Sequence, residues 1–258
     1  MSSFDKLAGL FGYRLIKISE YDKLVYGSRA NYSNMSKAPE AVGLYEAAAK
    51  LVQTASPLIF DVGAYIGNET KKYLNLFPEA AIHAFEPFKA SYAELIRNTE
   101  QFTGVTAVNS AVSDMTGTAV LNVGEFTPTN SLLKGDERSG KFWGEGVVSL
   151  LSEQKVKTCT IDDYCAQHGI DKINLLKLDV QGMELPALKG AEGMLSRGKI
   201  DLIITEAIFA PTYVGQTAFD KLYEFITGQG YYCYNLFNLK SAGGRLTQAD
   251  IIFVKDVE

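Results

Sequence analysis

The stretch "IFDVGAYIGNET", residues 59–70, joins a short apolar run to an acid and two glycines, Asp61, Gly63 and Gly67. The apolar run predicts a buried strand, and the glycines predict a tight turn into a helix. A Walker phosphate loop would need a lysine followed by Ser or Thr, which this stretch lacks. A dinucleotide fingerprint would read G-x-G-x-x-G, whereas the order here is Asp-x-Gly-x-x-x-Gly. The turn therefore indicates a ligand that favours an acid at the strand end and only partial glycine crowding.

Predicted strands alternate with predicted helices from residue 57 onward. Buried strands are predicted at "PLIFDV", "AAIHAFE", "INLLKLDV" and "IDLIITEAI", with "YYCYNLF" and "ADIIFVK" near the end. "GVTAVNSAVS" and "GTAVLNV" are predicted as two strands joined by the turn "DMTG". This pattern predicts an α/β fold, a mostly parallel sheet with helices on both faces and its ligand at the carboxyl ends of the strands. We expect residues 1–56 to form an N-terminal helical extension and residues 57–258 the ligand-binding domain.

One long segment breaks the alternation. Residues 124–155 have little periodicity and contain Trp143, the only tryptophan of the chain. Loops of this length in compact domains are usually functional lids or disordered segments. We expect an inserted lid over the ligand edge of the sheet.

Composition limits the classes of function. The chain has 258 residues, 47% hydrophobic, and a net charge of −5 without a basic run, which disfavours a nucleic-acid substrate. No apolar stretch is long enough for a membrane span, and the N-terminus lacks a signal peptide's apolar core. Three cysteines without a C-x-x-C pair favour a reducing cytoplasm. We expect a cytoplasmic protein, able to form homo-oligomers, whose first residues form a helix on the domain or, as the alternative, on a membrane surface.

The acids at the strand ends predict the cofactor. Glu86 ends the second predicted strand nineteen residues after Gly67, where a carboxylate can accept hydrogen bonds from both ribose hydroxyls. Asp61 at the first turn suits a positively charged ligand. Because no phosphate loop is present, a nucleoside that carries a cation fits better than a dinucleotide. S-adenosylmethionine is such a ligand.

Two further acids are candidates for the chemistry. Asp179 and Glu206 end neighbouring predicted strands at the ligand edge. They are predicted either to act as base and orienting acid for a hydroxyl or to hold a divalent cation such as Mg²⁺ together. The structural alternative for Glu206 is a cap or an ion pair with Lys177. His83 and His168 are predicted to be structural.

The motifs "DVGAYIGNET", "AFEP", "NSAVSD", "TCTIDDY" and "LKLDVQGMELPALKGAE", in this order, resemble the FkbM family of S-adenosylmethionine-dependent methyltransferases over residues 57–255. The resemblance implies a Rossmann-like class I methyltransferase fold and O-methylation of a sugar or secondary metabolite, a small-molecule acceptor. It also implies cofactor contacts from a set of first-turn, strand-end and adenine-side residues: Asp61, Gly63, Ala64, Gly67, Asn68, Glu86, Ser110 and Ala111.

The chain departs from the family at one position. The family often has Glu where this chain has Gln181, so an acid is missing there. We therefore favour a metal-free base over a bound cation and give Gln181 no charge-dependent role. The acceptor is expected to be a sugar or glycan precursor. A polyketide or peptide product, and a catalytically silent partner subunit, are the alternatives.

Overall fold

The computed structural model describes residues 42–256, and the residues from Gly43 onward form one compact unit. Its strands are β1 (Leu58–Val62), β2 (Ala81–Phe85), β3 (Val105–Val108), β4 (Ala111–Val112), β5 (Gly117–Gly124), β6 (Leu150–Cys159), β7 (Ile173–Leu178), β8 (Ile200–Ile208), β9 (Tyr231–Ala242) and β10 (Arg245–Lys255). Its helices are α1 (Leu44–Leu51), α2 (Asn68–Leu76), α3 (Lys89–Thr99), α4 (Gly140–Trp143), α5 (Ile161–His168), α6 (Glu184–Lys189), α7 (Glu192–Ser196) and α8 (Phe219–Gly228).

The main sheet has seven strands in the order β3-β2-β1-β7-β8-β10-β9. Strands β1, β2, β3, β7 and β8 run parallel, whereas β10 is antiparallel to both of its neighbours. The chain order reverses direction between β1 and β7, and in open α/β sheets the ligand crevice lies outside the carboxyl ends at such a point. The predicted α/β fold is confirmed, and the switch point lies at the edge predicted to bind the ligand.

The central strands are apolar because both faces of the main sheet are buried. Successive side chains of a strand point to opposite faces. In β1, Phe60 belongs to a core on one face, while Ile59 belongs to a second core on the other. Leu176 and Leu175 of β7 divide in the same way. A central strand of this sheet therefore needs an unbroken apolar run, which is the pattern that the sequence shows.

Helix α1 adds its apolar face to the second core. Leu44, Ala47 and Ala48 are buried there together with Ile59 and Tyr73. This part of the predicted extension thus packs as part of the compact unit. The division at residue 56 stays a prediction, and the helix predicted for the first residues lies outside the described ones. Among residues 42–256, no helix has the length and apolar content needed to cross a membrane.

The smaller sheet corrects the prediction for residues 104–123. Its order is β4-β6-β5, with β4 parallel and β5 antiparallel to β6. The first of the two predicted strands is divided between β3 of the main sheet and β4 of this sheet, and β6 lies between β4 and β5. Strand β6 begins at Leu150, inside the segment predicted to be a loop. Its first residues, 150–153, are exposed, so no buried alternation marks the strand in the sequence.

Candidate active site

A cavity of about 240 Å³ opens at the carboxyl ends of β1, β2 and β7. Its wall combines the first turn, the end of β2, the start of β4, the segment after β5 and the turn after β7. The sequence-predicted residues in this wall are Gly63, Ala64, Asn68, Glu86, Ser110, Ala111 and Asp179.

Gly63 is required where β1 and β7 end side by side. Its φ is +81°, in the region that favours glycine, and an added Cβ would lie 1.9 Å from the Asp179 carbonyl oxygen. Its amide nitrogen donates to the Phe85 carbonyl oxygen at 3.0 Å, which fixes the turn against β2. The turn thus brings three strand ends together around one cavity.

Glu86 presents a fixed carboxylate to this cavity. Its Oε2 accepts from the Tyr65 amide at 3.0 Å, and its Oε1 accepts from the Phe88 amide at 2.8 Å. Burial raises the pKa of Glu86 to about 7, although the two amide donors oppose the shift. Each carboxylate oxygen has a second lone pair, so two ligand hydroxyls can still donate to it.

The far end of the cavity is apolar. Ala111, Val112 and Leu121 line it, and Leu132 of the inserted segment packs against the cluster of Ala111 and Leu121. Ser110 completes this wall. A flat heterocyclic base suits such a surface, and Glu86 belongs to the wall of the same cavity.

Asp61 and Gly67 lie outside the cavity wall, so the direct ligand contact predicted for them is not part of this cavity. Asp61 is fully buried, and its Oδ2 accepts from Thr70 Oγ1 at 2.6 Å. Gly67, with φ +86°, begins α2 so close to α3 that an added Cβ would lie 2.8 Å from Leu95 Cδ1. Both residues support the turn from behind.

Lys177 is a site residue that the sequence analysis missed. It lines the cavity while almost fully buried, with Nζ 3.3 Å from Asp61 Oδ1, 3.8 Å from Asp179 Oδ2 and 3.3 Å from the Gly63 carbonyl oxygen. Burial lowers the pKa of Lys177, but Asp61 and Asp179 outweigh burial and raise it. The ion pair with Glu206, given as a structural alternative, is not formed, because the lysine pairs with Asp61 and Asp179. A lysine inside the apolar run "INLLKL" was the available signal.

Asp179 and Glu206 lie close together but in different environments. Asp179 is in the cavity wall with its side chain 39% exposed. Glu206 is buried inside β8, which continues to Ile208, so its predicted position at a strand end is wrong. Burial, followed by the charges of Asp179 and Glu184, raises the pKa of Glu206 well above its ordinary value. Glu206 therefore holds a proton more tightly than an exposed glutamate does.

The inserted segment covers the cavity, as predicted, although its movement stays a prediction. Thr127, Asn130 and Ser131 line the wall. Thr127 Oγ1 lies 2.9 Å from the hydroxyl of Tyr65, and Ser131 Oγ donates to the Gln181 carbonyl oxygen at 2.7 Å. The segment is thus bonded to the turns after both β1 and β7.

The two histidines and the acids of "TIDD" have structural positions. His83 Nδ1 lies 2.7 Å from the Tyr164 hydroxyl, and His168 Nδ1 lies 2.8 Å from the Tyr164 carbonyl oxygen. Asp162 accepts from the amides that begin α7, and the amide of Asp163 donates to the Thr160 side chain. Within residues 42–256, no group of three or more His, Cys, Asp or Glu side chains is arranged to hold a metal ion. The choice between a metal-free base and a bound cation stays a prediction.

The sheet order and this cavity define a class I methyltransferase fold. The family model described as "Methyltransferase FkbM domain" matches residues 61–233, and the chain belongs to that family. It is an S-adenosylmethionine-dependent methyltransferase.

Three curated relatives carry methyltransferase names. The 2-O-methyltransferase NoeI of Sinorhizobium fredii is 26% identical over 191 residues, which cover 70% of this chain and 75% of the relative. The methyltransferase sdnD of Sordaria araneosa is 31% identical over 54% of this chain and 61% of the relative. The 31-O-demethyl-FK506 methyltransferase FkbM of Streptomyces tacrolimicus is 29% identical over 52% of this chain and 59% of the relative. The names of NoeI and FkbM specify oxygen as the methylated atom, so O-methyl transfer is the reaction that they support.

Solved structures are more distant. A methyltransferase FkbM from Methylobacillus flagellatus KT is 17% identical, with a TM-score of 0.49, and the match covers 78% of this chain and 44% of that chain. TrmK of M. capricolum, solved with S-adenosylhomocysteine, is 11% identical, with a TM-score of 0.46, over 82% of this chain and 67% of that chain.

Proposed function

We propose that the protein transfers the methyl group of S-adenosylmethionine to a hydroxyl oxygen of a sugar or glycan precursor, and that residues 57–258 form the domain that does so. The observation that carries the proposal is one cavity with Glu86 on the end of β2 and Asp179 at the end of β7. The first carboxylate suits the ribose of the cofactor, and the second is open to an acceptor.

The described residues fit this cofactor. The apolar surface of Ala111, Val112 and Leu121 suits the adenine ring, and Glu86 suits the two ribose hydroxyls. Asp61, paired with Lys177, supports the first turn from behind. When bound, the cofactor supplies a methyl group that is already activated by the positive sulfur.

Asp179 is assigned the role of base. As the acceptor oxygen forms its bond to the methyl carbon and the carbon–sulfur bond breaks, the hydroxyl proton passes to the Asp179 carboxylate. An alcohol is a weak nucleophile, so removal of this proton contributes about 10²–10⁴-fold in rate. Lys177 holds the carboxylate from one side and keeps its own positive charge, because Asp61 and Asp179 raise its pKa. Alignment of the hydroxyl with the methyl group supplies a further part of the catalysis.

A sugar acceptor is supported by polar groups in the cavity wall, and oxygen as the methylated atom is supported by one relative. Asp179, Gln181, Asn130 and Ser131 can accept or donate hydrogen bonds there. The relative NoeI is named for 2-O-methylation. A polyketide product is the second candidate, because another relative is named for FK506 and a neighbouring cavity of about 210 Å³ includes Leu133, Val148 and Leu150 in its wall.

Cofactor binding is tested with Glu86→Ala. Loss of the charge-assisted bonds to ribose is expected to cost roughly 1.5–3 kcal/mol, or about 10- to 150-fold in Kd, by calorimetry with S-adenosylmethionine. Glu94→Ala is the matched control, since Glu94 is an exposed helix residue paired with Arg97. Unchanged affinity in Glu86→Ala, or binding of NAD in place of S-adenosylmethionine, would contradict the assignment.

The acceptor class is tested by following S-adenosylhomocysteine formation with methyl glycosides, nucleoside diphosphate sugars and hydroxylated macrolides. We expect turnover with the sugars. Turnover of macrolides alone would favour the second candidate, and binding of the cofactor without any turnover would favour a silent subunit.

Asp179→Asn is expected to lose about 10²–10⁴-fold in rate with cofactor affinity unchanged. If a chelator abolishes wild-type activity and Mg²⁺ restores it, a bound cation would take the place of the base in the proposed mechanism.

A further inference from the structure

Gln181 occupies an unusual backbone position at the acceptor end of the cavity. Its φ is +54°, a left-handed conformation that is uncommon for a residue with a Cβ. Ser131 Oγ donates to its carbonyl oxygen at 2.7 Å, so the inserted segment bonds directly to this strained residue. Backbone strain of this kind persists only where the surroundings hold it.

The side-chain amide of Gln181 joins both acids. Its Nε2 donates to Asp179 Oδ1 at 2.7 Å and lies 3.3 Å from Glu206 Oε2. An amide nitrogen has two hydrogens, so each acid takes one. Its Oε1 lies 2.7 Å from the hydroxyl of Tyr213, which is also 2.9 Å from the Thr129 carbonyl oxygen. The hydroxyl has one hydrogen and shares it between Gln181 and the inserted segment.

A neutral amide suits a position between two carboxyl groups, because it donates to both of them and adds no negative charge. Gln248 donates to the other oxygen of Glu206, so two amides hold this buried acid. A carboxylate in place of Gln181 would add a further negative charge at the same point. The amide orients Asp179 and leaves its Oδ2, 3.8 Å from Lys177, as the oxygen available to the acceptor.

We propose that Gln181 is a positioning residue that holds Asp179 in the orientation needed to accept a proton. Through Ser131 and Tyr213, Gln181 links this orientation to the position of residues 127–132. The inference deepens the proposed function and rests on it for the catalytic role. The geometric part does not depend on the acceptor. It requires only that side chain 181 lies between Asp179 and Glu206.

The first experiment tests the geometry with Mn²⁺ as the probe. Gln181→Glu places a third carboxyl group between two acids, and carboxylate oxygens are suitable ligands for Mn²⁺. We expect one Mn²⁺ site in Gln181→Glu by electron paramagnetic resonance, at least about tenfold tighter than in the wild type, and its loss in Gln181→Glu/Asp179→Asn. Equal Mn²⁺ affinity in Gln181→Glu and the wild type would overturn the proposal, whatever the acceptor is.

The second experiment tests the catalytic role with the glycoside or nucleotide sugar that the wild type methylates. Gln181→Met keeps the length of the side chain and removes both donors, so we expect kcat to fall by about 10- to 100-fold, with the Kd of S-adenosylmethionine changed less than twofold. Gln167→Met, at an exposed position of α5, is the matched control. A kcat equal to the wild-type value in Gln181→Met would overturn the proposal. If the wild type binds cofactor but methylates no compound, the proposed function fails, while the Mn²⁺ result still decides the geometry.

Two further readouts separate positioning from a general effect on stability. Tyr213→Phe combined with Gln181→Met is expected to lower kcat no further than Gln181→Met alone, because both act through one contact. Gln181→Glu is expected to be closest to wild-type activity at low pH, since only a protonated carboxyl group at this position can donate to Asp179. The charged or titratable groups that act on Asp179 and Glu206, the two acids that residue 181 joins, are Lys177, Glu184, Tyr213, Lys240 and Asp250. Additive losses, or parallel pH profiles of Gln181→Glu and the wild type, would overturn the proposal.

Discussion

Replacement of Lys177 by Met tests the buried charge behind the cofactor turn. Asp61 has no exposed surface, and the ammonium at 3.3 Å is the charge that compensates its Oδ1. In Lys177→Met, Thr70 still donates to Oδ2, but the carboxylate keeps a buried, uncompensated charge. Removal of one partner of such a pair typically costs about 3–5 kcal/mol of stability.

The double variant identifies the cause. Asp61→Asn/Lys177→Met removes both charges, and a buried pair replaced as a whole often changes stability little. We therefore expect the free energy of unfolding to recover most of what Lys177→Met loses. Lys172→Met is the matched control. Its partner Asp201 is partly exposed, so its loss is worth about 0–1 kcal/mol.

Urea denaturation followed by circular dichroism measures the effect. With a slope of about 2–3 kcal/mol per molar urea, a loss of about 3–5 kcal/mol moves the midpoint of Lys177→Met down by about 1–2.5 M. Calorimetry without urea, at a temperature where Lys177→Met stays folded, then shows whether this variant also loses affinity for the cofactor. A midpoint within about 0.3 M of the wild type, on the same slope, or a double variant as unstable as the single one, would refute the role of the pair.

Gly63→Ala is expected to abolish cofactor binding by calorimetry, because the added Cβ would lie 1.9 Å from a backbone carbonyl oxygen at a φ of +81°; wild-type affinity would contradict this. The free energy of unfolding is expected to fall as the pH rises from about 4.5 to about 7, because burial raises the pKa of Glu184 from 4.5 to about 7. The native state therefore binds this proton more tightly than the unfolded state does. The stabilisation, about 3 kcal/mol, is complete below pH 4.5 and lost above pH 7. In urea denaturation at several pH values, Glu184→Gln should flatten the dependence of the free energy of unfolding on pH. Trp143, whose Nε1 donates to Thr212 Oγ1 at 2.7 Å, is expected to change in fluorescence when cofactor and acceptor saturate the site. An unchanged spectrum would favour a static insertion.

The sequence predicts the main sheet well because its central strands are buried on both faces. An apolar run ended by an acid or a glycine marks β1 and β7, and the strand ends of a parallel sheet meet at one edge. Glu86 and Asp179 could therefore be assigned to the same cavity before any coordinates were known. Strand β6 escaped prediction, since its exposed first residues resemble a loop.

Which face a strand residue occupies is harder to predict than the strand itself. Asp61 was expected to touch the ligand, yet it points into the core side, where Lys177 of the neighbouring strand meets it. That pairing depends on the register of Asp61 against Lys177 between β1 and β7, which no local pattern contains. Glu206 was assigned to a strand end for a similar reason, since the two apolar residues after it do not show where pairing stops.

The position of β10 between β8 and β9 sets an order of events during synthesis. This strand is made last among the described ones, yet it pairs with β8 through residues 248–254 and with β9 along its length. Until it emerges from the ribosome, β8 lacks its outer neighbour and Glu206 lacks Gln248. A nascent chain can therefore form the cofactor turn first, whereas the acceptor end is completed only after residue 255 is free. Truncation within β10 would leave two unpaired strand edges and a buried acid with one amide partner instead of two, a product suited to aggregation and quality-control proteolysis.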